Sequence, residues 1–169
     1  MNVSEAIKQR YSCRAYKAEE VAREKLLKIL EAARLAPSAH NGQNWKFVVV
    51  EDLSKRQQLA QAAGQEFIAQ APVIIAAVAL RPNDIMSCGV PSYAVDLAIA
   101  VDHMTLQATE EMLATCWIGA FKQDEVKKIL DVPADYKVVV LLPLGYPADS
   151  PRPKHRKELK EIVCFDLFE

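Results

Sequence analysis

The sequence predicts an α+β fold, a layered architecture in which a central mixed sheet is flanked by helices. Helical periodicities outnumber strand-like runs, and the runs are scattered rather than alternating strictly with helices. A long segment from Tyr93 to Cys116 also carries two apolar stripes, as a helix buried on most sides does. With 169 residues, 51% of them apolar, residues 1–169 suffice for one domain. A domain of this size buries roughly 70% of its unfolded surface.

The elements follow in order. Asn2 caps a first helix with Glu5 three positions on, and Val3, Ala6, Ile7 and Tyr11 keep helical spacing until the helix ends near Arg10. Leu26, Ile29, Leu30 and Ala33 repeat at i, i+3, i+4 and i+7, giving a second helix to about Leu35, before Pro37. Trp45 to Val50 is bulky and β-branched, the mark of a strand covered on both faces. Ser54 with Gln57 marks a helix carrying Leu59, Ala62, Ala63 and Phe67, and Pro72 opens a buried strand from Val73 to Leu80.

On the Tyr93 to Cys116 helix, Leu97, Val101, Met104, Ala108 and Met112 form one stripe and Val95, Ile99, Leu106 and Leu113 the other. Such a helix packs either into a deep monomer core or between its own sheet and a partner subunit. Asp124 caps a short helix through Val126, Ile129 and Leu130. A third strand runs from Lys137 to Leu142, and Lys154 to Val163 is read as a terminal helix.

Charge and composition narrow the function. The formal net charge of -1 leaves no global field to attract nucleic acid or an acidic membrane, so an anion site must be local. Met1 to Arg10 lacks the apolar core of a secretory signal, and the run from Ala71 to Leu80 is far shorter than the ~20 residues that span a bilayer. A cytoplasmic protein is expected. Cys13, Cys88, Cys116 and Cys164 form no Cys-x-x-Cys pair, and His40, His103 and His155 are dispersed, so no metal site is expected.

Four segments carry chemistry. Arg10, Ser12 and Arg14 alternate, so in an extended chain two guanidinium forks and a hydroxyl, with Tyr11 between them, point to one side. Taken alone, they are also an ordinary basic stretch at a helix end. The loop Ala36 to Trp45 is small and amide-rich and lets main chain approach a flat heteroaromatic ligand, as many polar turns would. Cys116-Trp117-Ile118-Gly119 has a glycine suited either to close backbone approach or to helix termination. Gly145-Tyr146-Pro147 precedes the basic Lys154 to Lys157, a solvated face or a phosphate clamp.

Together these segments supply two basic walls, a polar loop and a close backbone edge, which are the needs of flavin mononucleotide (FMN). The five glycines are too scattered for G-x-G-x-x-G or a P-loop, leaving phosphate binding to side chains.

In its order of motifs the chain resembles the nitroreductase family over nearly its whole length: Arg10-x-Ser12-x-Arg14, Ala36-Pro37-Ser38 through Gln43-x-Trp45, Thr115-Cys116-Trp117-Ile118-Gly119, and Gly145-Tyr146-Pro147 through Arg156. The resemblance implies an α+β homodimer with one FMN per subunit at the interface and NAD(P)H as electron donor. It implies ribityl and phosphate contacts from Arg10, Ser12, Lys154 and Arg156, and a cation near the flavin from Arg14. Pro37, Ser38, Ala39 and Asn41 would reach the other subunit's flavin, and Trp117, Ile118 and Gly119 would bring backbone to the ring. The chain departs from many relatives at Asn44, where they carry proline, and at Met112 and Ala114, where they carry glycine. The Arg81 to Ser92 connection is short.

The implied activity is two-electron reduction of a small acceptor, such as a nitroaromatic or quinone, with hydride from NAD(P)H. Reductive dehalogenation or dehydrogenation of a metabolite falls under the same resemblance. A flavin-binding sensor or carrier with little turnover is the alternative from another class.

Overall fold

Strand β2, Val73–Ala79, forms the middle of the molecule in the computed structural model, which describes residues 1–168. Every residue of β2 is buried, and it pairs antiparallel with β1, Trp45–Val50, on one side and with β4, Lys137–Gly145, on the other. A two-residue strand β3, Ala114–Thr115, pairs antiparallel with the end of β4, giving the order β1-β2-β4-β3. All four named strands are therefore antiparallel. Among the described residues the mixed character expected of the sheet is confined to a single parallel bridge, Ser12 to Thr115.

Side chains alternate across this sheet and build two cores. Val73, Ile75, Ala77 and Ala79 pack with Leu26 and Ile29 of α2, Arg23–Arg34, and with Leu97, Val101 and Met104 of α4, Ser92–Glu110. Ile74, Ala76 and Val78 face the opposite core, with Leu59 of α3, Leu53–Ala63, and Val126 of α5, Gln123–Leu130. A bulge lies where Ala77 pairs with Val140 and Val78 with Val138. The extra residue flips the alternation of β4, so that Val140 belongs to the first core and Val138 to the second.

Helix α1, Val3–Gln9, starts at Asn2 with both halves of the expected capping box. Other boundaries differ from expectation. Helix α3 is capped by Asp52, whose side chain accepts from Lys55 N, and it stops at Gly64 with φ 62°; Phe67 lies in the following tight turn. Helix α5 begins without a side-chain cap, so Asp124 is inside its first turn. Strand β1 is an edge strand with only Val50 buried, rather than covered on both faces.

The long helix ends at Glu110 instead of Cys116. Met112 N donates to Thr109 O at 3.1 Å and Leu113 N to Ala108 O at 2.8 Å, the paired bonds of a Schellman turn with Met112 at φ 62°. Leu113 is thereby turned into the core, and Met112 is left outside. The first stripe of α4 is buried through Ala108, while Val95, Ile99 and Leu106 of the second are only partly covered.

Strand β4 runs past the expected Leu142 and through Pro143. Leu141 exchanges both main-chain bonds with Ile118 at 3.0 Å, and Thr115 pairs with Leu144, so the same register sets Pro143 opposite Cys116. Proline has no N–H to give there, and pairing breaks between Thr115 and Ile118. The expected terminal helix, Lys154 to Val163, is reduced to one tight turn, Leu159–Glu161. Its apolar side chains Leu159, Ile162 and Val163 are exposed and meet no core, and a helix this short is not stable without packing.

Candidate functional site

An extended arm at residues 12–17 joins the two ends of the chain. Ser12 bridges Thr115, Cys13 N donates to Thr115 O at 3.0 Å, Lys17 N donates to Tyr146 O at 2.9 Å, and Ala148 N donates to Ala15 O at 2.8 Å. Extended backbone sends alternate side chains to opposite sides. Cys13 is fully buried, whereas Ser12 and Arg14 face solvent.

On that outward side the arm and the 149–156 segment enclose a pocket of about 290 Å³, lined by Arg10, Tyr11, Ser12, Arg14, Asp149, Arg152, Lys154, His155 and Arg156 among others. All the candidate phosphate contacts, Arg10, Ser12, Lys154 and Arg156, are thus brought together with Arg14. Among the described residues none of Arg10, Arg14, Arg152, Lys154 and Arg156 sits in an ion pair. Lys154 donates to Lys8 O at the last turn of α1, and Arg14 Nη1 to Ser12 O at 3.2 Å. Desolvation and then the neighbouring Arg10 and Arg156 guanidinium groups lower the pKa of Lys154, as expected in an uncompensated positive field.

Asp149 supplies the pocket's one carboxylate and was not singled out by sequence. It accepts from Arg14 N at 2.8 Å on one oxygen, and from Tyr11 Oη at 3.0 Å and Cys13 Sγ at 3.1 Å on the other. Burial alone would raise its pKa, but the bonds from Arg14, Cys13 and Tyr11 outweigh that and the net shift is downward. Burial, and then the bond to Asp149, raise the pKa of Tyr11, so this candidate contact is a neutral phenol turned toward Asp149. Sequence reasoning also missed Arg152, and it held His155 only as a member of the basic run Lys154 to Lys157. Arg152 stands between Pro151 and Pro153, just ahead of that run, which was the only hint of it.

The segment after β3 lies beside the arm. The Cys116 thiol is raised by burial, while Arg14, Ser12 and Arg10 act on it in the opposite direction. Ile118 is buried, with both main-chain groups taken by Leu141, so its backbone belongs to the sheet. Trp117 is partly exposed, and among the described residues a Cβ at Gly119 would meet nothing nearer than the Trp117 indole nitrogen at 4.0 Å. Neither packing within the chain nor a positive φ calls for glycine there, and the open space suits a close-lying ligand.

The loop with Pro37, Ser38, Ala39 and Asn41 is not part of this pocket. Ala39 instead lines a second, wider cavity with His40, Gly42, Asn44 and the 81–92 connection, about 980 Å³ in volume. Ala39 N donates to Asp96 on α4 at 3.0 Å, and Ser38 Oγ accepts from Gln43 N at 3.0 Å. His40, Asn41 and Gln43 all have positive φ, at 53°, 54° and 49°. Backbone held in this region away from glycine is costly, and such strain clusters at functional loops.

Comparison with known proteins follows this geometry. The chain matches the family model "Nitroreductase family" over residues 7–70 and 60–146. It is 34% identical over 163 residues to the FMN reductase [NAD(P)H] of Bacillus subtilis, covering 86% of this chain and 66% of that protein. Among solved structures it is similar to a nitroreductase family protein from Clostridium novyi NT, with TM-score 0.84, 38% identity, and coverage of 91% and 89% of the two chains. It is also similar to an FMN-dependent nitroreductase from Clostridium difficile R20291, with TM-score 0.86, 31% identity, and coverage of 96% and 98%. With this motif order, this fold and these matches, the chain belongs to the nitroreductase family.

Proposed function

We propose that this chain is an FMN-dependent oxidoreductase that passes hydride from NAD(P)H to a small acceptor such as a nitroaromatic or a quinone. The observation that carries the reading is the pocket in which Arg10, Arg14, Lys154 and Arg156 converge without an ion-pair partner among the described residues, beside the open edge at Gly119. The donor set suits a phosphomonoester, which is compact, dianionic and matched by guanidinium forks. The names of the B. subtilis and C. difficile relatives support the same cofactor.

Bound FMN supplies the hydride relay between donor and acceptor. Arg10, Lys154 and Arg156 hold its phosphate, Ser12 offers a hydroxyl, and Arg14 places a cation that favours negative charge on the reacting ring. Trp117 and Gly119 form the backbone edge against the ring, and Ile118 holds that edge to the sheet through Leu141.

The working form is a homodimer in the cytoplasm. Pro37, Ser38, Ala39 and Asn41 then meet the cofactor of the second subunit, which explains why they lie apart from the pocket of their own chain. The exposed Val3, Ile7 and Leu35, with the half-covered stripe of α4, support a covered interface. Among the described residues no helix is long and apolar enough to cross a membrane.

Purified protein should be yellow and release FMN, not FAD, on denaturation. Arg10→Ala and Arg156→Ala should each weaken FMN binding about tenfold or more through lost charge-assisted bonds. Colourless protein that takes up no added FMN overturns the proposal.

A further inference from the structure

We propose that Asp149 is the positioning residue of the anion pocket: it clamps the segment at residues 10–14 that presents Arg10, Ser12 and Arg14, while its negative charge restrains the pocket's affinity for phosphate. The proposal rests on reading this pocket as the FMN phosphate site.

The clamp is visible in the bonds. Donors from Tyr11, Cys13 and Arg14 meet one carboxylate at 3.0, 3.1 and 2.8 Å. Tyr11 and Cys13 alternate with Arg10, Ser12 and Arg14, and the third bond holds Arg14 by its own main-chain N–H, so Asp149 sets where the outward side chains stand. Asp149 is itself anchored, because the preceding residue, Ala148, donates its N–H to Ala15 O at 2.8 Å.

The charge works against the anion. The Asp149 carboxylate lines the same cavity as five cations, and the hydrogen bonds it accepts favour its ionised form. A negative charge here opposes a bound phosphate, and at a partly exposed site that repulsion is weakened by salt.

The two effects can be separated by asparagine. Its carbonyl oxygen can accept from Arg14 N, and its amide can donate to Tyr11 Oη and Cys13 Sγ. Both of those groups already have a second acceptor for their own protons. Tyr11 Oη also donates to Asp149 O at 3.1 Å, and Cys13 Sγ to Ala15 O at 3.0 Å. Asp149→Asn therefore keeps the clamp and removes the charge, whereas Asp149→Ala removes both.

The test compares the wild type with Asp149→Asn and Asp149→Ala, reading FMN binding by flavin fluorescence and inorganic phosphate binding by thermal shift. Asp149→Asn should bind both probes about threefold or more tightly than the wild type at low ionic strength, with the gain lost near ~1 M salt. Asp149→Ala, equally neutral, should bind FMN about tenfold or more weakly than Asp149→Asn. Equal or weaker binding by Asp149→Asn overturns the restraining charge, and equal binding by the two neutral variants overturns the clamp. Should Asp149→Ala fail to fold while Asp149→Asn folds and binds, the clamp stands as a requirement of folding, and the affinity comparison with wild type still decides the charge. A wild type that binds phosphate but no FMN overturns the flavin reading alone, and the phosphate titration still decides the role of Asp149's charge.

Discussion

Met112→Gly should stabilise the protein, and by an amount that can be worked from the turn itself. Met112 holds φ 62° at the position after the α4 C-cap, where L-residues suffer contact between Cβ and the following carbonyl. That conformation costs roughly 1–2 kcal/mol for a residue with a side chain. Glycine pays back roughly 0.5–1 kcal/mol of this through its greater freedom in the unfolded chain. The Met112 side chain is 71% exposed, so little burial is lost. The net gain is about 0.5–1 kcal/mol, a rise in Tm of about 1–4 °C for a chain of this size. Calorimetry at one fixed protomer concentration measures it, because association would otherwise shift Tm. Met112→Ala is the control: it removes the same exposed side chain but keeps the Cβ. A Tm for Met112→Gly no higher than that of Met112→Ala would refute the strain argument.

Three further outcomes are expected. Sedimentation at low micromolar concentration should show a dimer, and a stable monomer that retains FMN would remove the shared-site model. Initial rates against donor and acceptor should give parallel double-reciprocal lines, with donor and acceptor using one face in turn, and Arg14→Ala should slow turnover even with FMN saturating; converging lines would indicate a ternary complex. Burial, and behind it the Asp149 carboxylate, push the Cys13 thiol up to about 11 from its ordinary value of 9.0. Its protonated state therefore contributes stability that is full below about pH 9 and is lost as pH rises toward 11, where the unfolded thiol ionises first. The fall in Tm between pH 8 and 10.5 should be shallower in Cys13→Ala, and an unchanged slope would remove Cys13 from the alkaline transition.

What was legible in the sequence depended on how local its cause was. The capping box of Asn2 and Glu5, the apolar repeat of α2 and the unbroken apolar run of β2 each lie within a few residues, and all three are in the structure. The end of α4 was not legible, because its periodicity continues through Leu113 while the backbone turns at Met112 without the glycine that would have announced it. Strand β3 is only two residues long, and β4 passes through a proline that ordinarily ends a strand reading. The alternation of Arg10, Ser12 and Arg14 predicted their common side, since it needed only extended backbone. Asp149 could not be found in this way. Its meaning lies in bonds to residues more than 130 positions earlier, and in the sequence it is one more polar residue in a proline-rich turn.

The joining of residues 12–17 to 145–148 also bears on how the protein is made. The arm leaves the ribosome well before its partners Tyr146, Pro147 and Ala148, which lie far later in the sequence. Helices α1 and α2 and the β1–β2 pairing can form before that, but the pocket lacks one of its two walls until residues 149–156 emerge. Contacts this distant in sequence carry the largest loop-closure cost and form late. Cofactor capture by this pocket thus waits for residues 149–156, and a chain shortened before Gly145 would keep much of its sheet and helices while lacking that wall of the anion pocket.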